Sequence, residues 1–455
     1  MQNMTTGTPL KLIIKFFIPL LIGNIFQQLY SISDIVIVGK LIGVKALAAL
    51  GVSAPLFYIM VVVSIGFTNG LTVITAQKFG AKDYQSMRRS VTTSVVLSTA
   101  FTLLISLTLM TFLDPIFRLM NVPADVYKDA EDFITIIGNG VILMIYFNLL
   151  SGFMRALGDS RSPLYFLIFT TVLNVLLNIL FIYHFQMGVK GSALGTIAAM
   201  ACSVVMCLFY INKKMPILLP QAADWRLSRS FCRQHLAIAI PMALQFSIIA
   251  VGTTIIQSVC NSFGADTIAA FTSALRVEQI SVQIMISFGV AMSTYVAQNY
   301  GAHRIGRIRR GVFECSMVSL VVSIALAFIM HAYSRNVLTI FIPRDHTNII
   351  DMGEQYLVLS TLFYAFLGQI FIFRNACQGM GNAVFPLISS FVELVIRAIA
   401  AAFLATRFGY IGICWASPIA WIGGVSVVAF GYYYLIRRLQ KRHYFRHISN
   451  PAAGL

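Results

Sequence analysis

Twelve apolar stretches follow one another along this chain, at roughly 13–38, 47–77, 91–113, 131–154, 163–185, 190–212, 236–261, 266–298, 312–333, 351–376, 384–405 and 411–436. A helix rising 1.5 Å per residue needs about 20 apolar residues to cross a hydrocarbon core of about 30 Å. In lipid such a segment must satisfy its own backbone hydrogen bonds, which a helix does. The sequence therefore predicts an all-α integral membrane protein with twelve transmembrane helices. Composition agrees: 58% of the residues are hydrophobic and 11% charged, with a mean hydropathy of +0.81. No water-soluble domain is built that way.

The net charge of +17 could suggest a nucleic-acid partner, but its placement argues otherwise. The N-terminus, the tail and the alternate loops near 78–89, 155–161, 213–233, 304–310 and 374 hold 23 Lys and Arg, whereas the loops between them hold eight. That asymmetry is the positive-inside rule, and it places both termini in the cytoplasm. No nucleic-acid partner is expected. The N-terminal MQNMTTGTPLKLIIKFF runs straight into a full-length apolar stretch and reads as the uncleaved first helix. The seven cysteines form no CxxC pair and read as small core residues. The seven histidines, His184, His235, His303, His331, His346, His443 and His447, fall in loops, tails or helix ends without metal-ligand spacing. Neither metal nor cofactor is implied, and an enzyme is not expected. The acids Asp129 and Asp132 read as a solvated face beside a loop.

The longest polar interruption, residues 213–235, splits the chain into six helices and six. Three stretches then repeat at nearly constant offset. FFIPLLIG around Pro19 matches AIAIPMALQ around Pro241, a shift of 222. TVITAQKFGAKDYQSMRRSV (72–91) matches STYVAQNYGAHRIGRIRRGV (293–312), a shift of 221. MRALGDSRSPL (154–164) matches CQGMGNAVFPL (377–387), a shift of 223. Six helices per copy give both copies the same orientation, so a pseudo-twofold axis along the membrane normal should relate the two bundles. The expected organisation is an N-lobe (1–212, helices 1–6), a cytoplasmic linker (213–235), a C-lobe (236–436, helices 7–12) and a basic cytoplasmic tail (437–455). Two bundles able to rock about a central site describe a transporter; no channel filter sequence is visible.

One acid stands out. Asp34 lies in NIFQQLYSISDIVIV, inside the first apolar stretch, where a carboxylate costs about 2.5 kcal/mol or more. Gln27, Tyr30 or Ser31, and Asp34 share a helix face by their spacing, and Asn174 and Asn178 present two amides at i and i+4. Burial favours the neutral acid and amide donors favour the carboxylate, which suits a group that changes protonation. The alternative is a polar cluster that only caps a helix break. Pro19 and Pro241 each remove a backbone hydrogen bond and permit a kink, static or moving. Glu278 and Arg276, two apart, face different sides; Glu278 could meet a cationic substrate or hold a neighbouring helix. Glu393 and Arg397, at i and i+4, read as an internal ion pair. The Met- and aromatic-rich ILMIYFNLLSGFM and LFYAFLGQIFIF would suit an adaptable apolar pocket, with Met144, Tyr146 and Asn148 as substrate contacts beside Gln27 and Tyr30.

Taken in order, the Pro19-to-Asp34 first helix, the paired AQxxGA elements, the GDSRSP and GNAVFP turns and the six-plus-six duplication resemble the multidrug and toxic compound extrusion (MATE) family, and its DinF-like bacterial branch, over essentially the whole chain. The resemblance implies two lobes around a V-shaped central cleft. It implies an antiporter in the bacterial inner membrane, a monomer by expectation, that exports amphipathic and often cationic drugs by alternating access. Coupling in that branch goes through a first-helix Asp near a proline kink, matching Asp34 and Pro19, with H+ ahead of Na+ as the ion. Another branch couples through C-lobe acids, but the corresponding places here, near Ile249 and Leu367, are apolar. Family members of the first type often carry a second acid one turn after a fifth-helix Asn; here Asn174 is followed by Asn178, which weakens a sodium site. The alternative from the wider superfamily is a flippase for lipid or lipid-linked sugar. Such a cavity would be expected to carry several Arg or Lys for a pyrophosphate, and the N-half mid-membrane stretches show essentially none.

Overall fold

The computed structural model describes residues 2–449, without the side chains of residues 29–32, 35 and 442–449. In chain order its helices are α1 (Pro9–Leu41), α2 (Val44–Gly80), α3 (Tyr84–Leu119), α4 (Ala124–Asn139), α5 (Val141–Ala156), α6 (Arg161–Ile179), α7 (Gly188–Lys214), α8 (Arg229–Asn261), α9 (Ala265–Gly301), α10 (Ile305–Leu338), α11 (Thr347–Leu362), α12 (Tyr364–Gly379), α13 (Val384–Phe408) and α14 (Tyr410–Ser449). Among the described residues ten helices are long and apolar enough to cross a membrane, and counting each of two bent pairs as one span gives up to twelve. The chain is an all-α multi-pass membrane protein.

The bent pairs correct the sequence reading, in which 131–154 and 351–376 are continuous. The chain turns by 45° between α4 and α5 and by 51° between α11 and α12. The hinge residues, Gly140 and Phe363, lie 223 positions apart. Each sits in the sparsely populated region near φ −90°, ψ 0°, which breaks the helical ladder.

The backbone repeats with the sequence. Helices α2 and α9 each contain 37 residues, and α4, α5, α11 and α12 each contain 16. Left-handed residues recur in pairs: Gly43 with Gly264, Lys82 with His303, Gly158 with Gly381 and Gln186 with Gly409. Gly158 shows why one of these must be glycine. At φ +83° a Cβ would be strained, and it would stand 2.0 Å from the Gln2 carbonyl oxygen.

Two compact units divide the described residues: Gln2 with Ile18–Ala243, and Asn3–Phe17 with residues 244–449. Phe117, Phe133, Ile134 and Ile145 are core residues of the first unit. Phe271, Tyr356, Leu357 and Cys414 fill the second. The divisions fall beside Pro19 and Pro241, so the first turns of α1 belong to the second unit and those of α8 to the first.

Each AQxxGA turn, with the helix that follows it, explains this exchange. In the second unit Gln298 Oε1 accepts the Met4 N–H at 2.9 Å, and Asn299 Nδ2 donates to the Met4 carbonyl at 3.1 Å. Arg304 Nη1 donates to Thr5 O at 2.6 Å and Arg307 Nη1 to Gly7 O at 2.8 Å. Glu314 Oε2 receives the Leu10 N–H at 3.0 Å. In the first unit Arg88 pairs with buried Asp224 at 2.9 Å, and Thr92 Oγ1 donates to its carbonyl at 2.8 Å. Burial works to raise the Asp224 carboxyl, yet the Gln221 N–H and the Arg88 guanidinium together hold it below its ordinary range. His235, expected at a helix end, is instead fully buried within α8 and bonds to Ser90 at 2.8 Å. A polar partner on α3 lets the helix carry it inside.

Arg307 also donates to Met4 O and Asn299 Oδ1. Replacing it with Ala strips several charged hydrogen bonds from the N-terminal segment, including the one to buried Met4, and should destabilise the protein by about 2 kcal/mol. The check is thermal unfolding in detergent, where an unchanged Tm would contradict this account of the segment.

Candidate functional site

Helix α1 carries Asp34 about four turns beyond Pro19, and α6 runs beside it within the first unit. Asn178 Nδ2 donates to Asp34 Oδ1 at 2.6 Å. The same nitrogen lies 3.3 Å from Asn174 Oδ1, and Asn174 Nδ2 donates to Thr196 Oγ1 of α7 at 3.1 Å. Asn174 and Asn178 are both fully buried. One carboxylate thus ends a chain of neutral amides and a hydroxyl that spans three helices. Among the described residues no ion pair includes Asp34. Its charge has hydrogen-bond donors but no fixed counter-ion.

Asn178 Oδ1 is buried without a partner. It faces Gly195 of α7, where an added Cβ would stand 2.1 Å away. A side chain there would push into the amide that serves Asp34, so α7 needs a glycine at this point. Sequence reasoning missed both Gly195 and Thr196. The available signal was GSALG (191–195), two glycines four apart, which lets helices approach closely. A Gly195→Ala variant should displace Asn178 and weaken the Asp34 contact, while Gly191→Ala, which meets Phe181 instead, leaves it in place. Perturbation of the Asp34 carboxyl in infrared spectra by the first substitution and not the second is the expected result.

The other candidates lie elsewhere. Gln27 is exposed on α1, and the Tyr30 side chain lies outside the described residues. Met144 is buried in the apolar core of the first unit. Tyr146 shares a 2.7 Å hydrogen bond with Thr99, and Asn148 Nδ2 donates to the Met144 carbonyl one turn back. Glu278 is buried within the second unit, where Tyr356 donates to it at 2.7 Å, while Arg276 is exposed. The Glu393–Arg397 pairing expected from spacing does not form. Glu393 pairs with Arg374 of α12 at 2.5 Å and accepts from Ser389 at 3.1 Å. Arg374 is therefore no loop charge but a buried one. Asp132 is likewise paired, with Lys190 at 3.1 Å. Leu367 packs with Tyr364, Ile370 and Trp421, an apolar setting as expected.

Among the described residues no group of three or more His, Cys, Asp or Glu could hold a metal ion. Over 414 residues the chain is 28% identical to the probable multidrug resistance protein YpnP of Bacillus subtilis, covering 90% of this chain and 92% of that one. It is 24% identical to the probable multidrug resistance protein NorM of Thermotoga maritima, with 92% and 90% covered. A solved structure described as MATE in the bent conformation superposes with a TM-score of 0.90 at 21% identity, covering 96% of this chain and 98% of that one. The MatE family profile matches twice, over residues 19–180 and 241–403, one match opening on Pro19 of α1 and the other on Pro241 of α8. The internal duplication is the family's own repeat, and the chain belongs to the MatE family.

Proposed function

We propose that this protein is a multidrug exporter of the bacterial cell membrane, driven by exchange of a proton at Asp34 for an amphipathic, often cationic, organic compound. The observation that carries the reading is the single carboxylate of α1 held by Asn178 with no paired cation. The names of the similar proteins, multidrug resistance proteins from two bacteria, support the substrate class. Both termini face the cytoplasm in this reading, as the basic loops favour, with 213–235 as the linker between lobes and the monomer as the working unit.

The amide at position 178 supports H+ over Na+. A hard cation needs oxygen ligands around it, whereas Asn178 turns its nitrogen toward the carboxylate. With Asp34 ionised, Nδ2 donates to it. With Asp34 protonated, a half-turn of the amide brings Oδ1, now partnerless, to accept the acid's hydrogen. Asn178 thus serves both protonation states, and Asn174 receives or releases its other contact. By linkage, a proton and a drug drive each other's transport when each prefers an opposite-facing state. Gln27, Tyr30, Met144, Tyr146 and Asn148 are the contacts we assign to the substrate path, and Pro19 and Pro241 the flexible points.

The test is ethidium transport into proteoliposomes under an imposed pH gradient, compared with an imposed Na+ gradient. Uphill accumulation driven by the pH gradient alone is expected; accumulation that follows only Na+ overturns proton coupling, and no accumulation under either overturns the exporter.

A further inference from the structure

Among the described residues the interior of the second unit holds four acidic or basic side chains, Glu278, Arg374, Glu393 and Arg397, in two arrangements. Glu393 and Arg374 form a closed pair at 2.5 Å. Glu278 and Arg397 do not: each is more than nine-tenths buried, they lie close enough for their charges to interact, yet no ion pair forms between them. Glu278 Oε2 is occupied by the Tyr356 hydroxyl, while Oε1 has no partner. Arg397 Nε has none either, and its Nη1 would lie 2.9 Å from a Cβ at Gly252. Two more buried oxygens without partners belong to the same region: Tyr364 Oη, which senses the Glu278 charge, and Ser360 Oγ on α11.

We propose that Glu278 and Arg397 form a second proton-exchange site, inside the second unit, in which Glu278 Oε1 carries a proton while the pair is open. When the guanidinium closes onto Oε1, the O–H bond breaks, the proton passes to water, and the carboxylate left behind pairs with Arg397. Burial makes both states meaningful: an open pair with ionised Glu278 would leave two uncompensated charges in a low-dielectric interior, each costing several kcal/mol. Protonating Glu278 removes one of them. The groups facing Glu278 are few: Tyr356 from α11, Tyr364 from α12 and Arg397 from α13. The Glu393–Arg374 pair satisfies its own charges, and Arg276 on the same helix is exposed. Glu278 is therefore the acid left to answer Arg397.

The site deepens the proton-antiport reading and rests on it for its role, but not for its detection. In infrared difference spectra of the full chain in lipid, acidification should produce a protonated-carboxyl band that Glu278→Gln removes and Asp34→Asn leaves in place. Glutamine keeps an acceptor for Tyr356, so the variant is expected to fold. Arg397→Lys should shift the pH at which the band appears, which a purely structural glutamate would not show. An identical carboxyl spectrum in wild type and Glu278→Gln overturns the inference, whatever transport does. In ethidium accumulation, losing one of two coupled protons lowers the steady-state ratio about tenfold per unit of pH gradient. A wild-type ratio in Glu278→Gln also overturns it, whereas absence of accumulation in the wild type itself overturns the antiporter and leaves the spectroscopic test standing.

Discussion

Asp34→Asn is expected to cut pH-driven ethidium accumulation at least about tenfold per unit of pH gradient while leaving ethidium binding in place. The substitution is nearly isosteric and preserves an acceptor for Asn178 Nδ2, so the α1–α6 contact survives. What disappears is the only difference a proton can make at this position. A carrier shifts between states only by as much as its ligand binds one better than the other. Without a titrating group at 34, the proton exchanged there loses that preference and its share of the driving force is lost, about a hundredfold in affinity coupling if it is worth about 3 kcal/mol. Downhill ethidium movement should persist. Undiminished uphill accumulation in Asp34→Asn would move coupling to another residue.

Breaking the buried Arg374–Glu393 pair should give the largest loss of stability. Both residues are over nine-tenths buried, and Arg374 Nε already lacks a partner. Glu393→Gln removes the counter-charge and leaves a guanidinium stranded in the interior, a penalty of about 3–5 kcal/mol. Removing both charges, as Arg374→Met with Glu393→Met, should recover most of that loss, since a well-packed apolar replacement avoids the desolvation of either ion. Thermal unfolding in detergent reads both. A Glu393→Gln protein as stable as the wild type would mean that Ser389 and its neighbours already compensate the arginine.

The repeat made much of the fold legible before any coordinate was known. Three motif pairs at shifts of 221 to 223 foretold two like six-helix units, and the left-handed turns then recur in pairs because a duplicated sequence meets the same local constraints twice. The bends between α4 and α5 and between α11 and α12 were not legible. One hinge is a glycine and the other a phenylalanine, so no shared residue marks them. The crossing of α1 and α8 between units was hidden for a related reason. It depends on Gln298, Asn299, Arg304 and Arg307 gripping backbone carbonyls and amides, which have no sequence signature.

At the site, spacing succeeded where the partners share a helix and failed where they do not. Asn174 and Asn178 were readable as one polar face because i and i+4 stack. Glu393 and Arg397 stand at the same spacing, yet a long guanidinium chooses its partner by tertiary position, and Arg374 reaches the carboxylate first. Gly195 and Thr196 looked like ordinary small residues of an apolar helix. Only the approach of Asn178 to Gly195 shows that α7 is shaped around the amide.

The central claim is that Asp34 is the group through which protons and drug are exchanged. The most direct measurement is proton release into weakly buffered solution when ethidium binds the purified protein, made on the wild type and on Asp34→Asn side by side. The account predicts release from the wild type and a clear drop in protons per ethidium bound in the variant, at unchanged ethidium occupancy. Equal release from the two proteins would contradict it.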